Sequence, residues 1–219
     1  MRHIKENAAI IGGNAQADID FLARINWGLF DVFAVDHGAD ICRALDITPQ
    51  ALIGDFDSLQ ERTLLTDDSR TVIRLPLDKD ISDLYYACRH LEKKQLYQNI
   101  YLFNADSGRP DHFYFNLRAV DLFGPHVRLI SRHGTVSKLL PGKACSLALK
   151  KGSLFSLLPL ERSEGVSISG ARYPLDNATL IADTHSLSNI SEGETVVYFS
   201  KGRMLLFTGD LPDHFIIGQ

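Results

Sequence analysis

Short apolar runs separated by longer amphipathic stretches constrain the first 131 residues more than any other feature of this chain. The runs fall at 8–11, 32–35, 51–53, 71–75, 99–103 and 127–130. Helix-like stretches at 16–26, 39–45, 59–66, 82–96 and 111–123 separate them. In the fourth of these, Leu84, Ala87, Cys88 and Leu91 recur at three and four residues and make one apolar face. Ser82 stands where an N-cap is expected, and Asp83 lies in the first turn, where the helix dipole favours an anion. Strands alternating with helices imply βαβ units, a parallel sheet and right-handed crossovers.

After about residue 132 the periodicity changes. Runs at 146–149, 154–158, 166–169, 195–199 and 204–207 are separated by Gly, Pro, Asn and Ser clusters, with no helical repeat. Lys201-Gly202-Arg203 is expected to close a tight hairpin between the last two. This half reads as an antiparallel β unit, a sandwich or a partial barrel. The expected division is therefore 1–132 and 133–219, the first an α/β unit, and 219 residues suffice for both cores.

Charge and cysteine usage exclude some classes of function. The net charge is −4 and no dense Lys/Arg block is present, which argues against a nucleic-acid or membrane-surface partner. Cys42, Cys88 and Cys145 are dispersed and odd in number, so neither a zinc knuckle nor a full disulfide framework is expected. The apolar run at 8–11 is too short for a secretory signal, and no later segment is long enough to span a bilayer. A soluble cytoplasmic protein is the expectation.

Parallel sheets bind ligands beyond the carboxyl ends of their strands. Polar clusters follow five of the six expected strands: Gly12-Gly13-Asn14, Asp36-His37-Gly38, Gly54-Asp55-Phe56-Asp57-Ser58, Asp78-Lys79-Asp80, and Asn104 through His112. Turns favour such residues in any case, but their shared position at one rim points to a site. Asp55 and Asp57 are two apart, so in an extended segment both carboxylates face one way. They can hold a magnesium ion, which prefers hard oxygens and keeps substrate phosphates as further ligands. An Asx-turn with solvated carboxylates is the alternative. Asp80 and Asp83 are three apart at a helix start and can share a face or simply cap it. Lys79 sets a cation beside them, the mixture that a metal–phosphate site needs. Arg109 precedes another helix start, where free N–H groups and a guanidinium make an anion site. Asp111 can cap that helix, hold Arg109, or do both, and His112 is more often structural at such a place. There is no Walker A loop, no dinucleotide Gly-x-Gly-x-x-Gly and no Gly-x-Ser-x-Gly elbow.

Taken in order, these residues resemble the thiamine pyrophosphokinase (thiamine diphosphokinase) family. Its runs Asp-Gly-Gly-Ala, Gly-Asp-Phe-Asp-Ser, Lys-Asp-x-Thr-Asp and Gly-Gly-Arg-x-Asp-His are similar to Asp36–Ala39, Gly54–Ser58, Lys79–Asp83 and Gly108–His112 here. A late Ser-x-Ser-Asn element is matched by Ser186-Leu187-Ser188-Asn189. His37, Asn104 and Ser107 stand where Gly is usual, and Ser82 where Thr is. The resemblance implies an N-terminal parallel-sheet α/β domain that binds ATP and Mg²⁺. A C-terminal antiparallel β-sandwich domain would bind thiamine and form a homodimer. It implies transfer of a diphosphoryl group from ATP to the thiamine hydroxyl, giving thiamine diphosphate and AMP. Asp55, Asp57 and Asp83 would be the catalytic acids and the ligands of Mg²⁺. Asp36, Lys79, Asp80, Arg109 and Asp111 would line the ATP and phosphate path. Ser188 and Asn189 would hold thiamine near the dimer interface. Read without the resemblance, the acids also suit another metal-dependent transferase, or a sensor that binds without turnover.

Overall fold

The structure is a computed structural model that describes residues 6–57, 71–106, 108–182, 186–211 and 215–217. The chain is mixed α/β and divides into two compact units. The first takes in residues up to 119, then 126–132, and Phe215–Ile217 among the described C-terminal residues. The second takes in 120–125 and 133–211.

In the first unit, β1 (Asn7–Ile11), β2 (Phe30–Val35), β3 (Ala51–Gly54), β4 (Thr71–Arg74), β5 (Asn99–Phe103) and β6 (Val127–Ser131) are all paired in parallel. Their order is β6-β5-β1-β2-β3-β4, so the path of the chain reverses between β1 and β5. Most positions of β1, β2, β3 and β5 are buried, which is why they read as continuous apolar runs rather than alternating ones. Helices α2 (Gly38–Ala44) and α3 (Asp83–Lys94) pack on β1 and β2, and α3 reaches β3 as well. The four expected core residues of α3, Leu84, Ala87, Cys88 and Leu91, are all buried. Ser82 caps this helix, its hydroxyl accepting the Tyr85 N–H at 3.2 Å. An aromatic cluster completes the core: the Phe30 ring meets Tyr101, Phe103 and Phe215 edge-on at 5.2–5.7 Å.

The expected helix at 16–26 is much shorter. Only Ile19–Leu22 is α-helical (α1), with Asp18 as its cap, and Trp27–Leu29 forms a 3-10 turn. Tertiary pairing takes over beyond it: Ile25 bridges to Ile216, and the Asn26 N–H donates to the Phe215 carbonyl at 2.8 Å. The helix expected at 59–66 lies outside the described residues. The last helix, α4 (Pro110–Phe123), opens with Pro at its first position, where no amide donor is missed.

The second unit is antiparallel. Its strands are β7 (Gly134–Leu139), β8 (Cys145–Leu147), β9 (Leu154–Pro159), β10 (Ser163–Ala171), β11 (Leu175–Leu180), β12 (Asn189–Tyr198) and β13 (Met204–Thr208). They follow the order β11-β10-β12-β9-β13-β7, with β8 on β12. The hairpin expected at Lys201-Gly202-Arg203 is not one, because β9 lies between β12 and β13. That segment instead bridges to Glu164. One apolar cluster, including Phe155, Val166, Val197, Phe199 and Met204, forms the core. Beside it, the carboxylate of Asp121 is fully buried at 3.3 Å from both Lys138 and Arg203. Removing one partner of a buried ion pair leaves the others uncompensated. Asp121→Ala is therefore expected to cost about 3 kcal/mol, read as a lower urea midpoint with an unchanged slope.

Candidate active site

The site is built where strands of the first unit end. β2 runs directly into Asp36, whose backbone is left-handed at φ 48° and whose N–H donates to the Ile53 carbonyl at 3.0 Å. β3 ends at Gly54, and the two strand ends meet closely. A Cβ on Gly54 would lie 1.8 Å from Asp36 Oδ1, and its φ of +152° is one that side chains rarely adopt. Glycine is thus required by Asp36 itself. Phe56, left-handed at φ 59°, turns its ring into the core, where Arg74 lies 5.8 Å above it. This anchors the loop that carries the two neighbouring acids.

Asp55 uses both oxygens. Its Oδ1 accepts the Asp57 N–H at 3.2 Å, which is the Asx-turn, and its Oδ2 accepts Lys79 Nζ at 2.9 Å. The same ammonium lies 3.1 Å from Asp83 Oδ1 and donates to the Pro76 carbonyl at 3.1 Å. Lys79 therefore stands between two carboxylates delivered by β3 and by the start of α3. Asp36 adds a third nearby carboxylate, and its buried Oδ1 has no hydrogen-bond partner among the described residues. Asp57 and Asp80 are exposed at the same rim.

Electrostatics separates these acids. Burial, then the charges of Asp83 and Asp55, raise the Asp36 carboxyl from 3.8 to about 7; the Phe56 N–H and Lys79 offset this only in part. Burial also raises Asp83 against the opposing pull of Lys79. For Asp55 burial acts upward as well, but the hydrogen bonds from Lys79 and the Asp57 backbone outweigh it and hold the carboxyl below its usual range. Lys79 is raised, because its bonds to both acids exceed the burial that would lower it.

Arg109 and Asp111 pair with each other rather than with this cluster. The fork is bidentate, Nε to Oδ1 at 3.1 Å and Nη2 to Oδ2 at 2.6 Å, at the exposed start of α4. The Arg109 hydrogen bond is the main cause that brings Asp111 down to about 2. His37, which follows Asp36, has its Nδ1 2.8 Å from Asp40 Oδ2.

In the second unit, Ser188 is exposed, and its N–H donates to Ser156 Oγ at 2.9 Å. Asn189 is buried, and its carboxamide is engaged locally. Its Nδ2 donates to the Tyr173 carbonyl at 2.8 Å, and its Oδ1 accepts the N–H groups of Tyr173 and Ile190. A groove of about 670 Å³ opens beside it, lined by Tyr173, Leu175, Ser186 and Leu187 among others. Among the described residues no group of three or more His, Cys, Asp or Glu side chains is arranged to hold a metal, since Lys79 separates Asp55 from Asp83. Sequence reasoning missed the Gly54–Asp36 contact and the role of Asn104, which clamps the loop after β1. The signal for both was a residue at a strand end whose backbone must turn left-handed.

Carboxylates and a fixed ammonium gathered at the end of a parallel sheet are the mixture of groups that phosphate chemistry needs. Comparison with known proteins makes this particular. The thiamin pyrophosphokinase catalytic domain matches residues 31–123, and the thiamin pyrophosphokinase vitamin B1 binding domain matches residues 144–206. No curated protein sequence matches the chain. Among solved structures, the chain is similar to thiamine pyrophosphokinase from Bacillus subtilis, at 23% identity and a TM-score of 0.80, over 94% of this chain and 100% of that one. It is similar to a thiamin pyrophosphokinase family protein from Enterococcus faecalis, at 20% identity and a TM-score of 0.78, over 94% and 100%. The thiamin pyrophosphokinase from Candida albicans aligns at 18% identity and a TM-score of 0.70, over 94% and 92%. At these identities the structural likeness establishes the fold; the two domain matches establish the family. The chain belongs to the thiamin pyrophosphokinase family. Its activity is ATP-dependent transfer of a diphosphoryl group to the thiamine hydroxyl, releasing AMP.

The raised Asp36 predicts a pH dependence. The native state keeps a proton that the unfolded chain releases near pH 3.8, so this group removes stability as pH rises from about 4 to about 7. Asp36→Asn abolishes that decline. The variant should match the parent near pH 4 and exceed it in stability at pH 8, measured by urea unfolding at each pH. An equal difference at all pH values would remove Asp36 as the cause.

Proposed function

We propose that diphosphoryl transfer takes place at the rim of the first unit, around Lys79. The observation that carries this is the Lys79 ammonium between Asp55 and Asp83, at 2.9 and 3.1 Å, beside the unbonded Asp36 Oδ1. Such a cation suits the phosphoryl oxygens of ATP, and when a phosphate arrives it leaves the two carboxylates available to a metal. The donor set suits Mg²⁺, because Asp55, Asp57 and Asp83 offer hard carboxylate oxygens and the buried Asp36 Oδ1 near them has no hydrogen-bond partner among the described residues. Asp55, Asp57 and Asp83 would hold the ion, which when bound neutralises phosphate charge and aligns the polyphosphate.

Asp36, Lys79, Asp80, Arg109 and Asp111 line the path of ATP. The guanidinium of Arg109 stands at the N-terminus of α4, where backbone N–H groups favour an anion. Thiamine's hydroxyl attacks the β-phosphorus in line. The new O–P bond forms as the bond to the α-phosphate oxygen breaks, AMP leaves with that electron pair, and a carboxylate takes the hydroxyl proton. Asp83, raised by burial, is a better acceptor than Asp55.

Residues 1–132 act as the ATP- and Mg²⁺-binding domain, and 133–219 as a β-sandwich for thiamine binding and dimerisation. Ser188 and Asn189 serve thiamine from the second, near the interface of a cytoplasmic homodimer. Asn189 acts there by holding the Tyr173 segment beside the groove. No helix among the described residues is long and apolar enough to cross a membrane.

Incubation with ATP, thiamine and Mg²⁺ should yield AMP and thiamine diphosphate in equal amounts. Asp57→Asn should lower that yield by about 100-fold or more, with an unchanged melting temperature because Asp57 is exposed. Near-normal turnover in the variant would sink the metal-ligand role.

A further inference from the structure

β1 and β5 are neighbours across which the chain path reverses, the place in an open parallel sheet beyond whose strand ends ligands bind. Asn104 ties together the two loops that leave these strands. It follows β5 directly, has a left-handed backbone at φ 53°, and is buried to 5% exposure. Both hydrogens of its Nδ2 are used across the gap. One goes to the Gly12 carbonyl and the other to the Asn14 carbonyl, each at 2.8 Å.

The contacts continue to the phosphate side of the site. Asn14 Oδ1 accepts the Gln16 N–H at 3.1 Å and lies so close to Gly108 that a Cβ there would approach to 2.5 Å. Gly108, at φ +85°, is the turn that leads into Arg109 and the first residues of α4. On its other side the same β1 loop touches Asp36, since a Cβ on Gly13 would lie 3.0 Å from the Asp36 Cβ. The β1 loop is thus held between Asp36 and Asn104, and its Asn14 supports the turn that presents Arg109. No polar atom of Asn104 reaches the acidic cluster in the hydrogen bonds described.

We infer that Asn104 is a positioning residue for ATP, its carboxamide holding the loop after β1 against the turn that starts α4 and so fixing the spacing of the two loops between which the polyphosphate would lie. This rests on the reading of the rim as the nucleotide site. It does not make Asn104 a catalytic residue, because the side chain is spent on backbone carbonyls.

Two variants separate positioning from mere stability. Asn104→Gly keeps the left-handed backbone without strain and removes both donors. Asn104→Asp keeps the shape and sets a carboxylate against two carbonyl oxygens. The KM for ATP should rise about tenfold in Asn104→Gly and further in Asn104→Asp, while the KM for thiamine stays within about twofold. A residue that only stabilised the fold would lower the active fraction, hence kcat and the melting temperature, and leave the KM for ATP in place. An unchanged KM for ATP in Asn104→Gly, or equal rises for both substrates, would overturn the positioning role while leaving the nucleotide-site reading standing. A parent protein that neither binds ATP in calorimetry nor releases AMP would overturn that reading and the inference with it.

Discussion

Lys79 is the charge around which the first unit's rim is organised. The charge of Asp55 raises the proton affinity of both Asp36 and Asp83, and that of Asp83 adds to it at Asp36, because carboxylates gathered in a half-buried place repel. The ammonium at 2.9 and 3.1 Å offsets two of them. Burial and these neighbours raise the third, Asp36, to about 7, so that below this pH it is mostly protonated. One cation, and below about pH 7 one proton, thus balance the three carboxylates.

A second constraint is backbone shape. Asp36 after β2 and Asn104 after β5 both adopt left-handed φ immediately beyond a strand, and Phe56 does so two residues beyond β3. Such conformations cost about 1 kcal/mol or more for residues other than glycine, and structures retain them where the surroundings over-determine them. Here the surroundings are visible. Asp36 is wedged against Gly54, Phe56 is buried under Arg74, and Asn104 is tied to two carbonyls. Each turn lies just beyond a strand end, so the left-handed conformations are gathered at the rim that carries the acids.

The second unit solves a different problem, burying polar groups inside an antiparallel core. Thr195 Oγ1 donates to the Gly170 carbonyl at 2.8 Å and lies 2.8 Å from Ser191 Oγ, while Asn189 satisfies Tyr173 on both its N–H and its carbonyl. Asn189 and Tyr173 both line the groove, so the shape of that wall depends on the hydrogen bonds between them. The Ser-x-Ser-Asn run seen in the sequence is accordingly part structure: Ser186 and Ser188 both bond to β9, one through its carbonyl and one through its N–H.

Much of the first unit was legible because buried parallel strands must be apolar along their whole length, and an amphipathic helix must repeat at three and four. The runs other than β4 and the face of α3 follow from that requirement, as does the rim where Asp55, Lys79 and Asp83 fall, whereas β4 is nowhere fully buried. β11, Leu175–Leu180, was not legible, since Asp176, Asn177 and Thr179 are exposed and pairing with β10 alone makes it a strand. The shortness of α1 and the false hairpin at Lys201–Arg203 have the same cause: Ile25 and Lys201 take partners far along the chain, which no local pattern encodes. Residue types and their order determined the fold class, the acidic rim and the family. Only the tertiary structure decided that Lys79 bridges Asp55 and Asp83, that burial raises the Asp36 carboxyl and that Asn104 ties the loops after β1 and β5 together, because distances and burial between separate strand ends exist only once the sheet has formed.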